Sequence, residues 1–221
     1  VGIPKTRTMK VISLTVAVLL LSIATITAQP QLEKGNLLLG ATSTVALSGS
    51  VSSELMSLGF IKATYKYGSD SPEHAFNRTS YNILPKAGYF VIENLAAGLQ
   101  TVFSGYNEKA MDDNLEYAER TIGIGPFVRY YYPLDRFFPF IEAESLFGTV
   151  KEVWYDEDER SPFVLLGISI GASLPLGDNV TFDASAGYLR SSQKDTDVET
   201  EDAVHYITSG FCLKMGFTIY L

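Results

Sequence analysis

Glu142-Ala143-Glu144 places two carboxylates two residues apart, which in an extended chain puts both on one side. Paired carboxylates can share general acid and base roles. Four more charged residues sit in similar settings, each between apolar neighbours: Lys86, Arg129, Asp183 and Lys214. With Glu142 and Glu144 they make three acids and three bases. A balanced set of this kind suits a buried, mutually paired network, because an unpaired charge in a low-dielectric interior is costly. Cations near Glu142 and Glu144 would keep both ionised, which is wrong for a general acid. A structural charge network is therefore the expectation, and lining of an ion pathway is the alternative.

Other residues offer weaker chemistry. His74 and His205 are the two histidines, and Ser209 follows His205 four positions later on the same face of a strand. That spacing could serve a lipid-modifying enzyme, but strand neighbours share faces by chance. Asp156-Glu157-Asp158-Glu159 is dense in oxygen ligands for divalent cations, yet matches no calcium-loop spacing. No metal, cofactor or catalytic residue is expected. Cys212 is the single cysteine, so an internal disulfide framework is excluded. The run Arg129-Tyr130-Tyr131-Tyr132, with Tyr89 and Phe137, reads as an interfacial aromatic girdle.

The elements that must position these residues are strands. After residue 30 the recurring pattern has period two, with no sustained helical period. Leu37, Leu39 and Ala41 oppose Gly40 and Thr42. Tyr81, Ile83 and Tyr89 oppose Asn82, Lys86 and Gly88. Leu95, Ala97, Leu99 and Phe103 oppose Gly98, Gln100 and Ser104. Ile122, Ile124, Val128 and Tyr130 oppose Thr121, Gly123, Gly125 and Arg129. Ile141, Ala143 and Phe147 oppose Glu142, Glu144 and Gly148. Leu166, Ile168 and Ile170 oppose Gly167, Ser169 and Gly171. Phe182, Ala184 and Tyr188 oppose Thr181, Asp183 and Ser185. The eighth strand sets Phe211, Leu213, Met215, Phe217, Ile219 and Leu221 against Cys212, Lys214 and Gly216.

Short turns at 92–94, 133–136 and 175–179 alternate with longer polar connections at 48–78, 107–119, 151–161 and 190–203. This is the signature of an all-β, eight-stranded antiparallel up-and-down transmembrane β-barrel. A soluble barrel of the same topology would carry its charged face outside. Here bulky apolar residues fill one face and Gly, Ser and Thr dominate the other, and small side chains suit the crowded interior of an eight-stranded ring. Closure is demanded because hydrocarbon offers no partner for a backbone N–H or C=O. It pairs the last strand with the first, so the chain is expected to end on a strand.

From Met9 the chain carries Lys10, an apolar run from Val11 to Ile26 and small residues up to Ala28, the layout of a cleaved secretory signal. Residues 1–28 are thus expected to be an N-terminal extension and signal peptide, and 29–221 the outer-membrane barrel domain. Removing Lys5, Arg7 and Lys10 takes the 17 basic residues to 14 against 25 acidic ones, a net charge of −11. So acidic a chain argues against a nucleic-acid partner.

The segments LPKAGYFVIENLAAGL (84–99) and IGPFVRYYYPL (124–134) resemble the small outer-membrane β-barrel family, similar to the membrane domain of OmpA-type proteins. The resemblance spans about residues 35–221 and leaves no room for the periplasmic peptidoglycan-binding domain of that family. The outward row Phe211, Leu213, Met215, Phe217, Ile219, Leu221 resembles the C-terminal signal read by the barrel assembly machinery. That signal usually ends in an aromatic residue, whereas here Leu221 follows Tyr220. The resemblance implies a Gram-negative cell outer membrane, both termini periplasmic and four loops outside. Its partners would be outer-membrane lipid and lipopolysaccharide, the assembly machinery during biogenesis, and an extracellular partner met by the loops. A structural or interaction role without enzymatic activity follows: membrane integrity, adhesion or partner binding. The alternatives are a narrow pore or small-solute conduit and a lipid A-modifying enzyme.

Overall fold

A computed structural model describes residues 30–49, 59–66, 73–110, 116–132, 134, 136–154, 157–194 and 205–221. The expected signal segment and residues 1–28 lie outside them. Nine strands are described: β1 (Leu37–Gly49), β2 (Gly59–Lys66), β3 (Glu73–Ile92), β4 (Leu95–Ala110), β5 (Glu116–Tyr131), β6 (Phe138–Trp154), β7 (Glu157–Pro175), β8 (Val180–Lys194) and β9 (His205–Tyr220). Each ring strand pairs antiparallel with its neighbours, and β1 closes the circle by pairing with both β9 and β3. Eight strands form the ring. The ninth, β2, pairs only with residues 73–80 of β3 and extends that wall beyond the ring's closure.

Three tight connections join strands at the end where both described termini lie. Glu93-Asn94 links β3 to β4, and Asn94 takes the left-handed conformation that asparagine tolerates (φ 64°). The link from β5 to β6 is held by Leu134 N–H donating to the Phe137 carbonyl (3.1 Å), and that from β7 to β8 by Leu176 N–H donating to the Val180 carbonyl (2.8 Å).

The opposite end differs from the expectation of long polar loops. Of the segments read as connections at 107–119, 151–161, 190–203 and 48–78, the described parts, 107–110, 116–119, 151–154, 157–161, 190–194, 48–49, 59–66 and 73–78, continue as paired strand, and the rest lie outside the described residues. Lys151 pairs with Arg160 and Trp154 with Glu157, so β6 and β7 run on to a two-residue gap. These strands are 17 and 19 residues long, whereas about 9–11 tilted residues cross a bilayer. The excess projects past the apolar band. Out there both faces meet water, so the apolar–polar contrast that marks a strand in sequence is gone while backbone pairing continues. Glu157, Asp158 and Glu159 of the acidic run belong to β7. Asp156 lies outside the described residues.

The interior also differs. It is not filled by small and charged residues alone: large apolar side chains form two layers. Leu84, Val102, Leu146, Val150, Phe163, Leu165, Leu189 and Cys212 pack in one, away from the termini. Leu32, Leu38, Phe90, Phe127, Tyr131, Phe138, Phe140 and Tyr220 pack with Ala96 in the other. Glycines on facing strands make the room. A Cβ on Gly123 would meet the Phe163 ring at 2.9 Å, one on Gly88 the Phe127 ring at 2.9 Å, and one on Gly171 the Phe140 ring at 2.7 Å. Small and large residues thus interlock across the ring, filling a cross-section that eight strands leave barely wider than their own side chains.

Candidate functional site: the sealed lumen and its charge network

The six charges singled out in the sequence lie on five strands, yet all point inward and meet between the two apolar layers. Each is at most 7% exposed. Lys86 Nζ on β3 donates to both carboxylate oxygens of Glu142 on β6, 2.8 Å each. Arg129 Nε on β5 donates to Glu142 Oε2 at 2.7 Å, and its Nη1 donates to Asp183 Oδ2 on β8 at 2.5 Å. Lys214 on β9 pairs with Glu144, whose other oxygen accepts from Gln100 Nε2 at 2.7 Å. Asp183 also accepts from the hydroxyls of Thr181 (2.9 Å) and Thr218 (2.8 Å). Glu142 and Glu144 therefore turn to different cations, and no common atom lies between them as an acid–base pair would need.

The Arg129 guanidinium lies 4.1 Å from the centre of the Phe140 ring, which covers it on the side of the tight turns. Its Nη1 also donates to the Tyr131 hydroxyl at 3.0 Å, and Tyr131 accepts from Tyr220 at 3.3 Å. Tyr131 was read as part of an interfacial girdle. It is instead wholly buried in the lumen, because it shares the inward parity of Arg129, while Tyr130 beside it is exposed. Tyr220, on the face opposite the apolar row of the last strand, is buried beside Tyr131. Parity alone could have placed Tyr131.

Beneath this network the lumen is stoppered by a feature the sequence pattern did not announce. The short 3-10 turn Pro30–Leu32 drives Leu32 into the lower apolar layer, 1% exposed. The Leu32 carbonyl accepts from Asn94 N–H (2.9 Å) in the β3–β4 turn. Gln31 Nε2 donates to the Asp178 carbonyl (2.6 Å) in the β7–β8 turn. The segment thus straps two turns from different sides of the ring.

Cys212 lies in the upper apolar layer and is fully buried. A maleimide is expected to label it over hours in the folded barrel and within minutes in denaturant. Equal rates in the two states would show that the upper layer is open to solvent. The backbones of His74 and His205 lie in β3 and β9, where His205 pairs with Lys194. Their side chains lie outside the described residues. Ser209 is paired with Arg190. Among the described residues no group of three His, Cys, Asp or Glu is arranged to hold a metal ion.

The outer wall decides the architecture. On β9 and at the residue that follows it, Phe211, Leu213, Met215, Phe217, Ile219 and Leu221 are 38–61% exposed, while Cys212, Lys214, Thr218 and Tyr220 between them are at most 2% exposed. The same alternation runs round the ring through Ile83, Leu99, Ile124, Ile141, Ile168 and Tyr188. A continuous greasy exterior around a charged interior inverts the soluble pattern.

The chain is an eight-stranded transmembrane β-barrel.

No family model matches it, and no curated protein does. Among solved structures it is similar to Neisserial surface protein A, at 16% identity over 83% of this chain and 95% of that one (TM-score 0.41). It is also similar to the N-terminal β-barrel domain of Pseudomonas aeruginosa OprF, at 10% identity over 85% of this chain and 98% of that one (TM-score 0.40). A third is the outer membrane protease OmpT from Escherichia coli, at 11% identity over 90% of this chain and all of that one (TM-score 0.42).

Aromatic residues mark both edges of the barrel's apolar band. Tyr89, Tyr130, Phe182 and Phe217 lie towards the turns, and Tyr81, Phe103, Phe147, Tyr188 and Phe211 towards the far end. Phe182 stacks edge-on against Phe217, and Tyr188 against Phe211, across the β8–β9 pair. Between belt residues on one strand, six residues apart from Phe182 to Tyr188 and from Phe211 to Phe217 and eight from Tyr81 to Tyr89, the chain travels about 15–20 Å along the barrel axis, at about 3.3 Å per residue and about 40° of tilt.

Proposed function

We propose that this protein is a non-conducting outer-membrane barrel whose role is structural and interactive. On this reading it anchors a rigid, strand-built platform in the membrane, and the strands beyond the far aromatic belt meet partners outside the cell. The lumen carries the proposal. Among the described residues, two interlocked apolar layers, a paired charge layer and the Leu32 stopper fill the lumen at successive levels along the axis. A conduit would need polar walls around a water column. Glu142 is 1% exposed and engaged on both oxygens, so neither solute nor substrate has access to it.

In this reading both termini face the periplasm, and the outward row from Phe211 to Leu221 is the feature that the barrel assembly machinery engages. The pore alternative has a direct test. The purified, refolded chain in planar bilayers is expected to give no discrete current steps. Steps of reproducible size, altered by Arg129→Ala, would overturn the sealed-lumen reading. Fractionation with outer membranes and heat-modifiable migration on gels test the location and the closed barrel.

A further inference from the structure

Three sequence-adjacent acid–base pairs, Glu119-Arg120, Lys151-Glu152 and Glu159-Arg160, lie on β5, β6 and β7 just beyond the far aromatic belt. The strand registers align them. Arg120 is directly opposite Lys151, and Lys151 directly opposite Arg160; Glu119 is opposite Glu152, and Glu152 opposite Glu159. Side chains alternate across a sheet, so this register puts all three bases on the outer wall and all three acids on the lumenal side. Exposure agrees: Glu119 is buried, while Arg120 and Arg160 are exposed. A locally neutral stretch of sequence becomes a cationic outer wall backed by an anionic mouth.

The three cations line one cleft of about 390 Å³, floored by Tyr81, Phe103 and Ile122. Tyr81 lies flat across the wall because its partner is Gly105, where a Cβ would strike the ring at 2.6 Å. Gly105 pairs in turn with Arg120, so Tyr81, Gly105, Arg120, Lys151 and Arg160 form one row across five strands. Arg120 is braced against the wall by the carbonyls of Glu119 (3.0 Å) and Tyr106 (3.4 Å), which accept from its Nη1. Immediately below the row, Phe103, Ile122, Phe147 and Val164 face outward and mark the top of the apolar band.

Height, charge and shape together identify the occupant. On β5, Arg120 lies about 25 Å above Tyr130 of the lower belt, which places it at the upper edge of the hydrocarbon. Neighbouring strands are about 4.8 Å apart, so three cations meet within about 10 Å. A multiply charged anion can accept charge-assisted hydrogen bonds from all three cations at once. The apolar floor opens downwards into the acyl region. We infer that this cleft binds the phosphate-bearing sugar of an outer-leaflet glycolipid of the lipid A class. Phosphate oxygens would lie on Arg120, Lys151 and Arg160, and the acyl chains along Phe103, Ile122 and Val164.

The inference rests on the outer-membrane reading, and its test separates the two. The full chain, refolded in detergent, is titrated with labelled bis-phosphorylated lipid A. The triple variant Arg120→Gln/Lys151→Gln/Arg160→Gln is expected to bind it about tenfold or more weakly, and the single variant Lys151→Gln about threefold. Lys194→Gln, an exposed cation on β8 outside the cleft, serves as the control and binds as the parent does. Dephosphorylated lipid A should lose affinity for the parent to the same extent as the triple variant loses it for lipid A. Inorganic phosphate in large excess should not compete. Competition by phosphate would make this a small-anion site, and undiminished binding of the dephosphorylated lipid would make it an apolar one; either overturns the inference, as does parental affinity in the triple variant. Heat-modifiable migration reports folding of each variant. If the triple variant does not fold, Lys151→Gln and the salt dependence of the parent decide. A parent chain that is not heat-modifiable, or that fractionates away from outer membranes, would instead defeat the outer-membrane reading.

Discussion

Arg129→Met is expected to lower the unfolding free energy of the barrel in lipid vesicles by about 3–5 kcal/mol, the cost of breaking a buried ion pair from one side. Arg129 is the hinge of the network: it reaches Glu142 on β6 and Asp183 on β8 from β5. Methionine keeps most of the volume and removes the charge. Asp183 then retains only the hydroxyls of Thr181 and Thr218, and Glu142 retains only Lys86. Of these two carboxylates only Glu142 would still face a cation, in a space closed to water. Folding with one of them protonated, or with water drawn in, costs free energy either way. Urea titration followed by intrinsic fluorescence measures the loss. The double variant Lys214→Met/Glu144→Gln gives the complementary result. It removes both members of a pair and should cost less than Lys214→Met alone, because no uncompensated charge remains. A loss below about 1 kcal/mol for Arg129→Met would show that the network contributes little to holding the ring.

Gly125→Val should prevent ring closure. A Cβ at Gly125 would lie against the Ser145 carbonyl oxygen and 3.0 Å from the Leu146 Cα, both backbone atoms of the adjacent strand β6. A flexible side chain could move aside, but these atoms could yield only by parting β5 from β6. In a closed ring that displacement passes to every neighbouring pair, and in hydrocarbon a separated pair leaves backbone groups without partners. The expected penalty is at least about 3 kcal/mol, the upper part of the range for overpacking. It should appear as loss of the heat-modifiable band and of membrane insertion. Gly177→Ala is the matched control: nothing lies within 4 Å of a Cβ there, and the variant should fold like the parent. Folding of Gly125→Val at parental yield would mean that β5 and β6 can part at this point without opening the ring.

The ring strands were legible in the sequence because lipid and lumen are such different surroundings. Ile122, Ile124 and Val128 against Gly123, Gly125 and Arg129 form a contrast that only a two-faced strand needs. The six lumenal charges were legible for the same reason, since each interrupts an apolar stretch at the inward parity. Which cation meets which anion was not. Lys86 is far in sequence from Glu142, and Lys214 from Glu144, so only ring closure and stagger bring them together. Leu32 was not legible either, because a single leucine in a short turn carries no period.

The sequence by itself determined that this chain is made of two-faced strands, which face is apolar, and which charges must share the other. Tertiary structure alone decided where the strands stop, how the lumen is layered, and how Glu119-Arg120, Lys151-Glu152 and Glu159-Arg160 are sorted into an acidic interior and a basic exterior. The reason is register. Beyond the apolar band both faces are polar, so composition does not distinguish one side of a strand from the other. A slip of one residue would exchange acid for base, and only the pairing of each strand with the next settles which way the charges point.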